Sequence, residues 1–227
     1  MNKILAYHSI GSPLAGEVGS ELYCIPVENF RAQMEYLRNT QYTIHNTQIT
    51  FDDGDITNYT HAFPVLKELG LTAYFFIIGG RIGSPGYMNW EQIKELRDAG
   101  MTIGSHGITH RILTGLTDSE IDYELRESKR ILEENLNTTI EHLSIPRGFY
   151  DERIIQKADE IGYKTIFTSK ERVAVKADWD MDKFERMLFA KPSLDDKVMD
   201  FIKESSKRIL GPKNYDILRT KILTRGL

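Results

Sequence analysis

Short apolar runs and amphipathic stripes take turns along this chain about seven times, and that alternation limits the folds open to it more than any other feature. Runs of strand length recur at 3–8, 48–51, 72–78, 101–104, 141–145, 164–168 and 186–190. Most are continuous rather than alternating, which fits strands buried on both faces. Between them apolar residues return every three or four positions, as in Val27, Phe30, Met34 and Leu37, or Ile121, Leu125, Leu132 and Leu136. That is the spacing of a helix with one buried stripe. Gly70, Gly100 and Gly162 stand just past such stripes, where helices end, and Thr117 with Glu120 forms a capping box. The alternation predicts an α/β architecture with parallel strands, either an open doubly wound sheet or a closed barrel.

With 227 residues, 41% of them apolar, the chain supports one sizeable core rather than two. Residues 1–190 are expected to build it. Two further stripes, Leu194/Val198/Ile202 and Tyr215/Leu218/Ile222, flank Gly211-Pro212 and predict a helical extension over 191–227 packed on the same domain. The 29 basic and 33 acidic residues give a net charge of −4 and are scattered, which argues against phosphate-backbone binding and hence a nucleic-acid partner. Cys24 is the single cysteine, so an internal disulfide or a cysteine-rich zinc module is excluded. Any metal must be held by histidine and carboxylate. No apolar run reaches the ~18 residues of a membrane span, and the start, Met1 to His8, lacks a signal-peptide pattern; the expected location is cytoplasmic.

In parallel β/α folds the loops leaving the C-terminal strand ends converge on one face, so reactive side chains are sought there. Asp52 and Asp53 follow the strand at 48–51 directly. Two adjacent carboxylates repel, and a cation that neutralises one leaves the other free as a base; the alternative is an ordinary acidic turn around Gly54. His106 and His110 follow the strand at 101–104, four residues apart, a spacing that brings both rings to one side of a helical turn. An Asp and two His with positions left open make a hydrolytic metal site. His8 ends the first strand, whereas His45, His61 and His142 lie away from strand ends and read as surface or structural.

Thr50-Phe51-Asp52-Asp53-Gly54, Ser105-His106-Gly107-Ile108-Thr109-His110 and Ile145-Pro146-Arg147-Gly148 resemble, in order, the first three motifs of the polysaccharide deacetylases, carbohydrate esterase family 4. The likeness runs from about Lys3 to Ala190. It implies a distorted (β/α)7-type barrel of parallel strands, with Asp53, His106 and His110 binding a divalent metal, zinc foremost and nickel or cobalt as alternatives. It also implies Asp52 as the base that activates water, and the backbone N–H of Arg147 as an oxyanion donor.

The chain departs from the family pattern in three places. Gly107 stands where the second motif has Ser or Thr. The third motif, Arg-x-Pro-Tyr-Gly, falls on Ser144 to Gly148, so the arginine that would hold the catalytic aspartate is missing from its place, with Arg147 and Arg186 as candidates to replace it. No histidine follows His142, although the family's late Leu-x-His motif supplies a general acid. One branch, the poly-N-acetylglucosamine deacetylases, is circularly permuted and carries that histidine on its first strand. Ile4-Leu5-Ala6-Tyr7-His8-Ser9-Ile10 and Ile25-Pro26-Val27-Glu28-Asn29-Phe30 resemble this branch, which implies His8 as the acid. The implied function is metal-dependent removal of N-acetyl groups from an amino-sugar saccharide, with Tyr150 and Trp179 as candidates to stack on a sugar ring, Trp179 reading rather as core. The rival functions are hydrolysis of a non-sugar C–N bond and a non-catalytic saccharide-binding module.

Overall fold

The computed structural model describes residues 3–14, 20–40, 47–170 and 172–189, apart from the side chains of 186 and 189. The extension expected over 191–227 lies outside the described residues. In chain order the elements are β1 (Lys3–Tyr7), β2 (Ser9–Ile10), β3 (Cys24–Ile25), α1 (Val27–Asn39), β4 (Thr47–Phe51), α2 (Phe63–Leu69), β5 (Tyr74–Ile77), α3 (Trp90–Asp98), β6 (Thr102–Ser105), α4 (Asp118–Leu136), β7 (His142–Ser144), α5 (Glu152–Ile161), β8 (Thr165–Phe167), β9 (Arg172–Ala174) and α6 (Met181–Phe189).

Seven strands pair in parallel in the order β8-β7-β6-β5-β4-β1-β9, while β2 and β3 form a separate small pair. The two edges of the large sheet approach each other. The Arg172 guanidinium on β9 lies 5.9 Å from the Phe167 ring on β8 and bonds the Ser144 hydroxyl on β7, so the sheet is curled round upon itself. This is the barrel-type arrangement expected, rather than an open doubly wound sheet.

Side-chain alternation sorts the strands into an inner and an outer layer. Leu5, Tyr7, Ile49, Phe51, Phe75, Ile77, Ile103 and Leu143 join the core shared with the helices, where Phe51 stacks on Phe75 and Phe30 of α1 meets Tyr7 edge-on. Tyr74, Phe76, Ser144, Phe167 and Arg172 face inward. Gly104 shares that inner layer, and a Cβ there would lie 2.6 Å from the Phe76 ring. Thr117 and Glu120 cap α4 as read from sequence, and Asn89 with Gln92 caps α3 in the same way. Gly70 and Gly162 end α2 and α5 in the left-handed conformation.

Two expectations are corrected. The run at 186–190 is not a strand: residues up to 189 belong to α6, because Met181, Phe184 and Leu188 recur at helical spacing, and Phe184 is fully buried against Tyr36 of α1. The seventh strand is instead β9, three half-buried residues. Nor do His106 and His110 lie on a helical turn: the segment between β6 and residue 112 is irregular, with Gly107 and His110 at positive φ.

Candidate metal centre and active site

Four strand ends supply the site. Asp52 and Asp53 leave β4, His106 and His110 leave β6, His8 leaves β1, and Ser144 to Gly148 leave β7. The ladder between β1 and β4 continues past the strands, with Asp52 N–H donating to Tyr7 C=O at 3.0 Å, so Asp52 emerges beside His8. The turn after β4 and the start of the helical segment that follows it then grip the segment that bears His8. Asp55 accepts from the Ser9 hydroxyl at 2.6 Å, Thr57 Oγ1 accepts from Ile10 N–H at 2.9 Å, and the Asn58 amide donates to His8 C=O. The His8 ring lies against Tyr23, with centroids 5.0 Å apart, and is close enough to help hold both Asp52 and Asp53 ionised.

Asp53, His106 and His110 form the one metal-ligating cluster among the described residues, with all three ligand atoms within 4.8 Å of one another. Asp53 Oδ1 lies 3.5 Å from His106 Nε2 and 3.3 Å from His110 Nε2. His106 Nδ1 lies 2.7 Å from Ser144 C=O and must donate to it, since a carbonyl only accepts, which leaves Nε2 as the acceptor end of the neutral ring. Asp53 Oδ1 is buried and makes no hydrogen bond. Lone pairs converging on a buried, unpartnered carboxylate oxygen repel unless a cation sits among them. This donor set fits a divalent ion of borderline softness with coordination positions to spare.

Burial alone would raise the Asp53 carboxyl, but the His110, His106 and His8 imidazoles beside it outweigh that and hold it far below the usual carboxylate range. Burial works on His110 in the other direction, pushing it down to about 4 against the pull of Asp53, with His106 and Arg147 adding to the depression. His106 is raised, because Asp52 and Asp53 overcome its burial. Asp52 is excluded from the cluster by another partner. Arg172 donates through Nη1 to Oδ2 at 2.8 Å and through Nη2 to Oδ1 at 2.9 Å. Burial opposes ionisation of Asp52 as well, and the guanidinium more than compensates.

Backbone geometry at the site is unusual. Among the described residues four non-glycine residues have positive φ, and three of them are Asp53 at 73°, His110 at 63° and Arg147 at 58°. Arg147, between buried Pro146 and Gly148, exposes its side chain. The loop carrying the histidines is fixed from α4 by Glu124, whose buried carboxylate accepts from Ile108 N–H at 3.0 Å, Thr109 N–H at 2.9 Å and the Thr109 hydroxyl. Trp179 is buried in the core, and Tyr150 packs partly against it.

Three contributors escape the sequence reading. Glu124 had a readable signal, a charged residue within the apolar stripe of Ile121, Leu125 and Leu132. Asn58 opens the π-helical turn Asn58–Ala62, and nothing in the sequence distinguishes it. Arg172, rather than Arg147, is the arginine on Asp52, and its short, half-buried strand carries no pattern.

The curled parallel sheet thus presents an Asp-His-His cluster that could hold a metal ion beside a second, separately held carboxylate. Residues 42–166, more than half of the chain, match the family described as polysaccharide deacetylase, and the chain belongs to that family. The match begins after β1, so the strand bearing His8 precedes the family's shared segment. YxkH of Bacillus subtilis, itself named for polysaccharide deacetylation, is 34% identical over 185 residues, covering 74% of this chain and 64% of its own length. The chain thus spans somewhat less than two thirds of that relative. A poly-beta-1,6-N-acetyl-D-glucosamine N-deacetylase of Staphylococcus epidermidis is 23% identical over 221 residues, covering 84% of this chain and 76% of its own length. Among solved structures, the Streptococcus pyogenes deacetylase PplD in complex with acetate superposes with a TM-score of 0.74 at 22% identity, covering 83% of this chain and 98% of that one, a likeness of fold.

Proposed function

We propose that this chain is a metal-dependent hydrolase that removes N-acetyl groups from an amino-sugar saccharide, with zinc as the first choice of metal. The observation that carries the proposal is the division of labour between adjacent carboxylates: Asp53 turns a bare oxygen toward two imidazoles, while Asp52 is held apart by Arg172. A binding site for metal alone needs only the first. Membership of the deacetylase family and the names of its relatives supply the substrate class.

Asp53, His106 and His110 would hold the ion, which when bound supplies Lewis acidity for making a nucleophile from water and for polarising an amide carbonyl. Asp52, ionised and oriented, accepts the proton of the attacking water through a lone pair that Arg172 leaves open. The Arg147 N–H is the backbone donor for the oxyanion. His8, next to both carboxylates and bedded on Tyr23, delivers a proton to the departing amine. A non-catalytic binding module loses its main support, because the arginine missing from Ser144 is supplied by Arg172.

The test is acetate release from N-acetylglucosamine oligomers by zinc- or cobalt-loaded protein, with chelated protein and His106→Ala as controls. Release that depends on both the metal and His106 is expected. Full activity after exhaustive chelation would overturn the metal role, and release of another acid or an amine from a non-sugar amide alone would replace the substrate class.

A further inference from the structure

We infer that residues 55–61 form a clamp that sets the position of His8, with Asn58 as its positioning residue. The inference rests on the deacetylase reading only for the role of His8 as proton donor. His8 Nδ1 is buried and, among the described residues, has no hydrogen-bond partner. An imidazole that transfers a proton is ordinarily aimed by what its second nitrogen bonds, so the aim must come from elsewhere. Contact with Tyr23, at an interplanar angle of 36°, bounds the ring on one side without setting its direction.

What remains is the backbone, and each of residues 8–11 is met by a different residue of the clamp. The Asn58 amide donates to His8 C=O, Asp55 accepts from the Ser9 hydroxyl at 2.6 Å, and Thr57 Oγ1 accepts from Ile10 N–H at 2.9 Å. Gly11 completes the row, since a Cβ there would lie 3.2 Å from the His61 ring. The clamp is braced from within. Asp55 Oδ1 accepts from both the N–H and the hydroxyl of Thr57 at 2.7 Å. β3 holds the far end of the gripped segment, where Gly11 N–H donates to Ile25 C=O at 2.8 Å.

Asn58 is a poor choice for packing alone. Its side chain is buried with Oδ1 left without a partner, and it opens the π-helical turn closed by the bond from Phe63 N–H to Asn58 C=O. An orphaned amide oxygen lowers stability, and π turns are rare and concentrate where function needs them. What the residue gains is one bond. A carbonyl only accepts, so the amide nitrogen faces His8 C=O and pins the proton donor at its own peptide. The two residues are 50 positions apart, whereas Asn58 follows Asp53 by five. One short stretch therefore carries a candidate metal-holding carboxylate and the anchor of the acid, which ties the placing of one to the other.

The experiment compares wild type, Asn58→Leu, His8→Ala and the double variant, all zinc-loaded, on two substrates. In N-acetylglucosamine oligomers the amine must take a proton as the C–N bond breaks. In 4-nitrophenyl acetate the C–O bond breaks and the phenolate departs without one. Bound metal per chain, thermal unfolding and crystal structures around His8 are measured for each. Leucine matches asparagine in size and cannot donate. Asn58→Leu should lower amide cleavage by about 10- to 100-fold, with bound metal unchanged and the His8 ring displaced. Ester cleavage should change by less than about threefold, because it needs no acid. In the His8→Ala background the same substitution should alter amide cleavage by less than about twofold, since a residue that acts through His8 adds nothing once His8 is gone. Thr57→Val, which removes the acceptor of Ile10 N–H, should give the same split and serves if Asn58→Leu does not fold. Equal losses on both substrates, unchanged amide cleavage, or additive losses in the double variant overturn the inference. If wild type cleaves the ester but no acetamido sugar, the deacetylase reading fails; the crystal structures still decide, and a His8 ring that stays in place without the Asn58 amide overturns the clamp.

Discussion

Asp52 and Asp53 share a sequence position to within one residue, yet each has a different partner set, and that difference assigns their chemistry. Asp53 has an unbonded buried oxygen facing two imidazoles, whereas both Asp52 oxygens lie against Arg172. Asp52→Asn should therefore leave bound metal per chain at the wild-type level, as measured by elemental analysis, while acetate release falls by about 10²- to 10⁴-fold. Both carboxylates and both histidines were legible in the sequence because strand ends are where a parallel β/α fold gathers reactive groups. The histidine rings meet across an irregular loop, at a centroid distance of 5.1 Å, and helical spacing plays no part. Arg172 was not legible, since a single arginine 120 residues from its partner leaves no local trace.

At the scale of elements, α4 does two jobs with one buried face. Its apolar residues pack on the barrel, and Glu124 reaches into the histidine loop. Glu124→Ala would leave the N–H groups of Ile108 and Thr109 without their acceptor, at roughly 1–3 kcal/mol for each orphaned group. Urea unfolding should show a loss of about 2–4 kcal/mol, and a metal-competition titration about 10- to 100-fold weaker binding. The N-terminus of the same helix gives a prediction about pH. Thr117→Ala removes one half of the capping box and should cost about 1 kcal/mol in the same measurement. Glu120, the other half, is brought down to about 2 by Arg111 and by the cap bonds to Thr117. Its folded value lies below its unfolded one, so its stabilising effect is complete above the ordinary carboxylate range and is lost as pH falls toward 2. The stability gap between wild type and Glu120→Gln should accordingly narrow between pH 6 and pH 2.5. Helices of this kind were plain in the sequence, having long stripes and readable caps. The weak places were short: β9 has three half-buried residues, and the run at 186–190 was too brief to separate a strand from the end of a helix.

For the molecule as a whole, curling brings the Arg172 guanidinium of β9 against Phe167 of β8, and the inner layer is tightly filled. Gly104→Ala would push a methyl group against Phe76, one of the two rings flanking Arg172. An overpacking cost of about 1–3 kcal/mol is expected, accompanied by a fall in kcat, and a stability loss without any change in kcat would show that the rings do not support the base. Metal should also stabilise the fold. Ion at 100 times its dissociation constant adds about 2.7 kcal/mol, so chelation should lower the melting temperature by about 5–10 °C, a shift read by calorimetry and reversed by added zinc. Curvature itself was undecided by the alternation of strands and helices, which serves open and closed sheets equally; resemblance, and then Arg172 spanning the two edges, settled it.

The left-handed backbone at Asp53, His110 and Arg147 sets durability against usefulness in this chain. Each such residue carries a steric cost of roughly 1 kcal/mol or more that glycine would not. In metal-free protein, where the stabilisation by bound ion is absent, a selection for thermal endurance alone would favour glycine at all three positions. It would thereby erase two of the three candidate metal-holding side chains while leaving the barrel sturdier than before. Endurance screens run on this scaffold under chelation should enrich for inactive winners, and the survivors' sequences at 53, 110 and 147 would reveal it before any assay did.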